Sequence, residues 1–145
     1  MKKLIVLIAL FLALGCSNDS ENGKTITPIL IAQGSNSNYP NMISPQNFVI
    51  KSQTDWNNLL QNFDAYTIVN VIKETEIDFT KFQVIAVFYQ KQSNSSSSID
   101  ITKIVENATH ITVKVENLKL GITQDVAQPF HIVKIPKSSK SVVFQ

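Results

Sequence analysis

The chain contains no arginine and a single cysteine, and it has only two histidines and four glycines among its 145 residues. Without arginine it lacks the planar guanidinium group that commonly binds phosphate, which argues against nucleic acid as a partner. The dispersed glycines form no glycine-rich phosphate loop, and two distant histidines with one cysteine do not supply a metal site. We therefore expect no cofactor, no metal ion and no nucleic-acid partner.

Lysine supplies nearly all of the positive charge, and its position along the chain matters. Two of the 13 lysines are Lys2 and Lys3, so the other 11 balance the 11 acidic residues. A chain of about 130 residues without excess charge is large enough to form one hydrophobic core. We therefore expect a single globular domain, which we assign to residues 26–145.

The N-terminal residues have the layout of a secretory signal. An apolar run at residues 4–14 follows Lys2 and Lys3, and the chain becomes polar at residue 17. A positively charged start, a short apolar stretch and a small residue are typical of such signals. As a helix the run would be roughly 16 Å long, about half the hydrocarbon core of a bilayer. We therefore predict a signal peptide at residues 1–15.

The segment Leu12-Ala13-Leu14-Gly15-Cys16 resembles the lipobox of bacterial lipoproteins. In those proteins the cysteine becomes the first residue and carries the lipid, so the resemblance implies lipidation of Cys16. Several acyl chains hold a protein stably in a membrane, whereas one chain binds only marginally. We expect a flexible tether at residues 16–25 and a place in the bacterial cell envelope, with the outer membrane or cell surface as candidates. The alternative is an uncleaved anchor, or an ordinary signal with an incidental cysteine.

The clearest periodic pattern predicts a helix that begins near Ser52. Apolar residues recur at the helical spacing i, i+3, i+4 and i+7, namely Trp56, Leu59, Leu60 and Phe63. Ser52 with Asp55 three residues later resembles a capping box. We interpret Trp56 as a core residue, and stacking on a ligand is the less favoured alternative.

Most of the remaining pattern is typical of β-strands. The continuous apolar run at residues 84–89 predicts a strand buried on both faces. Alternation of Ile111, Val113 and Val115 with polar residues predicts a half-buried strand. Further strands are predicted at residues 26–32, 48–50, 68–72, 99–105, 130–135 and 142–144, with loops at residues 33–45, 93–98 and 118–128. The predicted fold class is α+β, a mainly antiparallel sheet forming a small sandwich or barrel, with one amphipathic helix packed on it.

The sequence contains no catalytic constellation. Nucleophilic catalysis needs a nucleophile beside an oriented base, and the only histidines are His110, beside a predicted hairpin turn, and His131, inside a predicted strand. We interpret His131 as a strand residue with a hydrogen-bonded ring; a ligand or switch role is the alternative. Glu74, Glu76 and Asp78 could perform acid–base work, but alternating acids more often form a solvated edge. We predict that the protein is not an enzyme. The alternative, an enzyme, would require His131 to lie within hydrogen-bond reach of a serine hydroxyl and a carboxylate.

Three segments of the C-terminal half carry a family resemblance. Residues 78–88 (DFTKFQVIAVF), 128–137 (QPFHIVKIPK) and 142–144 (VVF), with Thr123 and Gln124 between them, resemble the C-terminal domain of the PrcB family. Upstream, residues 48–50 and 52–60 resemble the family's strand leading into a tryptophan-bearing helix. The family is named after a lipoprotein subunit of a surface protease complex. The resemblance covers about residues 78–145, and it implies an accessory or modulating role.

The chain departs from the family at one loop. Members commonly carry a loop of the type Pro-Thr-Gly-Gly-Tyr after the buried strand, and residues 93–97 of this chain have neither glycine nor an aromatic residue. The turn after Leu118 is also reduced, to Gly121 alone. The resemblance therefore implies the fold but does not identify the partner.

These observations predict a lipid-anchored, non-catalytic protein that binds an exported protease or another envelope protein. Loops commonly carry function while strands supply the frame, and the residues predicted to contact the partner are Ser93, Asn94, Ser95, Ser96, Ser97, Gly121, Thr123, Gln124 and Gln128. The lipid on Cys16 would make the membrane a second partner. The alternative is a small-ligand or glycan-binding lipoprotein, or a passive envelope component. A deep apolar pocket with converging polar groups would favour the ligand-binding alternative.

Overall fold

The computed structural model describes residues 23–38, 41–119, 121–122 and 124–145, without the side chains of residues 117 and 118. The predicted signal peptide, Cys16, the tether up to residue 22 and Thr123 lie outside the described residues. In chain order the elements are β1 (Lys24–Thr25), β2 (Ile29–Asn36), β3 (Gln46–Ile50), α1 (Gln53–Leu60), α2 (Ala65–Asn70), β4 (Phe82–Phe88), β5 (Ser98–Glu106), β6 (His110–Lys119), β7 (Gln128–Pro136) and β8 (Ser141–Phe144).

The strands form two four-stranded sheets that pack face to face. The central sheet has the order β2-β7-β4-β3, and the outer sheet has the order β1-β5-β6-β8. Every pairing is antiparallel except that of β6 with β8. One hydrophobic cluster lies between the two sheets, and a second lies between the central sheet and the helices. The predicted α+β class with a sandwich of mainly antiparallel strands is confirmed.

Strand β4 shows why the central sheet is apolar on both faces. Val84, Ala86 and Phe88 belong to the cluster under the helices, while Ile85 and Val87 belong to the cluster between the sheets. All five side chains are buried. Because successive side chains of a strand point to opposite faces, a strand covered on both sides needs a continuous apolar run. The prediction made for this segment is confirmed.

Helix α1 begins as the sequence predicts. The side chain of Ser52 accepts a hydrogen bond from the backbone N–H of Asp55 at 3.1 Å, which satisfies one of the unpaired donors of the first turn. Trp56 and Leu59 are buried against the central sheet, as is Phe63 just beyond the end of the helix. The interpretation of Trp56 as a core residue is confirmed.

A second helix, α2, occupies the place where a strand was predicted at residues 68–72, so that prediction and the prediction of a single helix are wrong. The carboxylate of Asp64 accepts hydrogen bonds from the backbone N–H and the hydroxyl of Thr67, at 2.7 Å and 3.2 Å. This N-cap favours a helical turn. The β-branched residues that follow favour a strand by propensity, and the N-cap outweighs that preference.

Strand β2 continues further than its sequence predicts. Residues 33–36 were predicted as loop, but Gln33 pairs with His131 and Asn36 pairs with Gln128 across β7. Asn36 is fully buried, and its amide donates to the backbone carbonyl of Asn62 at 3.1 Å. Hydrogen bonds to distant residues therefore outweigh the local preference of Gly34 and its polar neighbours for a turn. At the other end of the domain, β1 includes the last two residues of the predicted tether, so the tether boundary at residue 25 is wrong.

The remaining strands match their predictions closely. The hairpin of β5 and β6 turns at residues 107–109, where the backbone N–H of Asn107 donates to the carbonyl of His110 at 2.8 Å. Ile111 and Val113 are buried while Lys114 is exposed, as the alternation predicts. In the described part of the chain, no helix is long and apolar enough to span a membrane.

Candidate functional site

The topology brings the two predicted loops together at one end of the sandwich. The first connects β4 of the central sheet with β5 of the outer sheet, and the second returns from β6 to β7. Their ends are neighbours because Phe88 pairs with Phe130 and Ser98 pairs with Lys119. We call residues 93–97 and the described residues of 121–126 the paired loops.

A short bridge closes the base of the paired loops. The backbone N–H of Gln92 donates to the carbonyl of Ala127 at 2.8 Å, and the N–H of Ala127 donates back at 3.1 Å. On the first loop, the hydroxyl of Ser35 in β2 donates to the carbonyl of Ser97 at 3.0 Å. The bridge therefore joins the bases of the two loops, and the Ser35 hydroxyl ties the first loop to the sandwich.

Further hydrogen bonds join the loops to each other. The backbone N–H of Gly121 donates to the side-chain oxygens of Asn94 and Ser97, at 3.3 Å and 3.0 Å. The backbone N–H of Ile122 donates to the hydroxyl of Ser96 at 3.0 Å. Ser97 is buried, and its hydroxyl donates to the side-chain oxygen of Asn94. The serine-rich sequence therefore supplies acceptors for the second loop.

Gly121 lies in a close approach between the loops. A Cβ atom at this position would lie 2.6 Å from the carbonyl carbon of Ser96 and 2.8 Å from the backbone nitrogen of Ser97. These are backbone atoms, so the loops would have to separate to admit an alanine. The need for glycine here is steric, and it follows from the packing of the two loops.

The paired loops expose two apolar side chains that lie in the loop predicted to bind a partner but were not among the individual residues predicted. Ile122 is 96% exposed and Val126 is 51% exposed. The hydroxyl of Ser95 donates to the carboxylate of Asp125 at 2.9 Å, which holds a charge beside them. An isolated isoleucine in a polar loop is the sequence signal that could have identified Ile122.

The predicted contact residues do not all share this surface. Ser93 and Gln124 are exposed, as predicted for loop residues. Ser97 is buried, so the prediction that its side chain contacts a partner is wrong. Gln128 is fully buried at the start of β7, where its amide nitrogen donates to the carbonyls of Ile43 at 2.6 Å and Tyr89 at 2.8 Å. Its side chain cannot reach a partner, so the placement of Gln128 in an exposed loop is wrong. Thr123 lies outside the described residues.

His131 has the environment expected of a strand residue. Its Nδ1 atom accepts a hydrogen bond from the backbone N–H of Ile101 at 3.0 Å, across the two sheets. No serine hydroxyl or carboxylate in the described part of the chain makes a hydrogen bond to this ring. Burial lowers the pKa of His131 below its ordinary value of 6.5, and the charge of Asp100 opposes that shift. The interpretation of a hydrogen-bonded strand histidine is confirmed.

The lowered pKa of His131 predicts a loss of stability in weak acid. As the pH falls below about 6.5, the unfolded chain takes up a proton that the folded chain resists. The contribution of the neutral His131 to the free energy of unfolding is therefore fully present above this pH. It declines as the pH falls towards the lower pKa of the folded state. In H131N, the asparagine oxygen can still accept the hydrogen bond from Ile101, but the side chain does not titrate. The free energy of unfolding, measured with urea, should therefore fall less between about pH 7.5 and about pH 5.5 in H131N than in wild type. An equal loss would contradict this, and H110N is the matched control that should keep the wild-type loss.

The acidic triplet does not form one site. Glu74 forms an ion pair with Lys134 of β7, whose ammonium also lies 4.7 Å from the ring centre of Phe82. Asp78 accepts from the hydroxyl of Thr80 and pairs with Lys81, and these contacts lower its pKa to about 2. In the described part of the chain, no group of three or more His, Cys, Asp or Glu side chains could hold a metal ion.

Comparisons of the chain with protein-family models, with curated proteins and with solved structures found no match.

Proposed function

We propose that this chain is a lipid-anchored, non-catalytic protein of the bacterial envelope whose paired loops bind another exported protein. The resemblance to the PrcB family implies a protease as the class of partner and an accessory or modulating role. The lipid on Cys16 would hold the domain at the membrane and raise its effective concentration near partners there.

The observation that carries this proposal is the exposure of Ile122 on a loop that backbone hydrogen bonds hold in place. Its N–H is bonded to Ser96 and that of the preceding Gly121 is bonded to two side chains, so the apolar side chain is presented on a fixed backbone. Val126 adds a second exposed apolar side chain in the same connection. Apolar side chains held outward on a loop suit contact with a protein surface better than contact with water.

The test is capture of partners from native envelopes. The protein would carry a C-terminal tag, and cross-linking would precede extraction. Burial of an isoleucine side chain contributes about 1.5–3 kcal/mol, so I122S should lower the recovery of a specific exported protein about ten-fold or more. The domain should remain folded, because Ile122 makes little contact within it.

Two further variants make the test specific. G121A forces the loops apart and should reduce capture as I122S does. V69S is the matched control, because Val69 is also highly exposed but lies on α2, outside the paired loops. Equal capture by wild type, I122S and G121A would exclude the paired loops as the binding surface, and failure to enrich any exported protein would contradict the proposed function.

A further inference from the structure

A groove of about 510 Å³ lies between β3, helix α1 and residues 42–44. None of the described residues of the paired loops lines it. Helix α1 contributes Asp55, Asn58 and Leu59, and Asn62 follows just after the helix. The strand contributes residues that include Phe48 and Val49. The volume lies within the usual range of ligand-binding clefts.

Strand β3 forms an edge of the central sheet. In the described part of the chain, β4 is its only strand partner. The register from Gln46 to Ile50 runs through five residue pairs without a bulge. The outer edge of such a strand presents a row of backbone donors and acceptors that can pair with another chain.

The other edge strands are either less regular or shorter than β3, although β8 is shorter by only one residue. At the opposite edge of the central sheet, β2 has a register shift between Leu30 and Ala32, and the backbone N–H of Lys73 donates to the carbonyl of Ile31 at 3.0 Å. In the outer sheet, the edge strands β1 and β8 have only two and four residues. Short strands, bulges and covering loops are the usual means of preventing edge pairing, and β3 is regular over its whole length.

The side chains around the β3 edge indicate what kind of chain would fit. Asp55 is the only charged residue among the described residues that line the groove. One of its carboxylate oxygens accepts from the hydroxyl of Ser52 at 2.6 Å, and a carboxylate has capacity for further donors. Asn58 on the same helix and Asn62 just after it add polar groups, whereas Val49 faces the other side of the sheet. An added strand would therefore place polar, basic residues towards α1 and apolar residues on its opposite face.

We propose that this groove binds an extended peptide segment of another exported protein, which pairs with β3 and sets a basic side chain against Asp55. The segment would extend the four-stranded central sheet by one strand. Backbone hydrogen bonds supply affinity in this mode of recognition, and alternating side chains supply selectivity. Five paired residues correspond to roughly 16 Å of extended peptide.

The experiment uses the full chain, purified in detergent, and three fluorescent peptides measured by anisotropy. The first alternates valine with lysine over about eight residues, which exceeds the length of β3. The second has the same side chains but is N-methylated at alternate residues, which removes the donors needed for strand pairing. The third replaces lysine with glutamate. N-methylation and charge reversal should each weaken binding about ten-fold or more.

Variants and hydrogen exchange locate the binding site. D55N, which keeps an acceptor for the capping hydroxyl, should weaken binding of the lysine peptide roughly two- to five-fold. The matched control E76Q removes an exposed charge outside the groove and should bind as wild type does. Amides of residues 46–50 should gain protection when the lysine peptide is bound.

Three results would overturn the proposal. The first is no binding of the lysine peptide at about 1 mM. The second is binding that N-methylation leaves unchanged, or protection that appears away from β3. The third is protection of residues 46–50 by maltotriose or N-acetylchitotriose but not by the peptide, which would make the groove a glycan site. None of these outcomes depends on the capture experiment with I122S, so the two proposals fail separately.

Discussion

The Q128M variant is expected to have a free energy of unfolding about 1–3 kcal/mol lower than that of the wild-type protein. Methionine has nearly the same length as glutamine, so the change leaves no large cavity. It removes the amide nitrogen that donates to the carbonyls of Ile43 and Tyr89. The Ile43 carbonyl is buried and the Tyr89 carbonyl partly buried, so each keeps a cost of desolvation when this donor is lost. Removal of the amide oxygen of Gln128, which is buried and has no hydrogen-bond partner among the described residues, offsets part of that cost. Urea unfolding followed by tryptophan fluorescence measures the difference.

A second buried glutamine provides the matched comparison. Gln83 in β4 is also fully buried, but neither its amide nitrogen nor its amide oxygen has a hydrogen-bond partner in the part of the chain that the structure describes. Its place in the alternation of β4 puts it on the same face as Ile85, towards the outer sheet. Q83M should therefore raise the free energy of unfolding by about 1–2 kcal/mol. If both variants shift stability in the same direction, hydrogen bonding does not decide the contribution of these two residues.

Much of the fold could be predicted because its pattern is local. The helical spacing of Trp56, Leu59 and Leu60 is set by the helix itself, and the alternation in β6 is set by the strand. The apolar run of β4 indicates burial on both faces without naming the neighbours. These elements follow from interactions between residues a few positions apart.

The errors arose where distant contacts or a single cap decide the structure. The end of β2 is polar and contains Gly34, but pairing with β7 and the bond from Asn36 to Asn62 keep it extended. Asp64 caps a helix of six residues whose β-branched side chains favour a strand by propensity alone. A local sequence pattern does not show which distant residues will become strand-pairing or hydrogen-bond partners.

The paired loops and the groove beside β3 also depend on contacts between distant residues, which a local pattern does not predict. Residues 93–97 could be predicted as a loop from composition, but their hydrogen bonds to Gly121 depend on both connections crossing at one end of the sandwich. Gln128 appeared to be a loop residue, and only the pairing of β7 with β2 shows that it is buried. The groove beside β3 could not be predicted, because it depends on strand order within the central sheet.

Replacing Cys16 is expected to abolish lipid attachment completely. Cys16 is the only cysteine of the chain, so a thioether-linked lipid has no other position. Each buried methylene contributes about 0.8 kcal/mol to membrane binding, and several acyl chains together make binding effectively stable. Cells grown with a labelled fatty acid should incorporate label into the wild-type protein and none into C16S, as read on immunoprecipitated protein. S17A, which changes the next residue and leaves the cysteine in place, should keep the wild-type label.

The intact mass of the purified protein distinguishes the predicted lipoprotein from an uncleaved anchor and from an ordinary secretory signal. A chain that begins at residue 16 and carries several acyl groups supports lipidation. An unlabelled protein of full length would mean that the apolar run at residues 4–14 remains as an anchor, although its length of roughly 16 Å is about half of a bilayer's hydrocarbon core. An unlabelled, shortened protein would mean an ordinary secretory signal. In that case the domain would be free in solution after export, and the paired loops would meet their partner without the higher effective concentration that a membrane anchor provides.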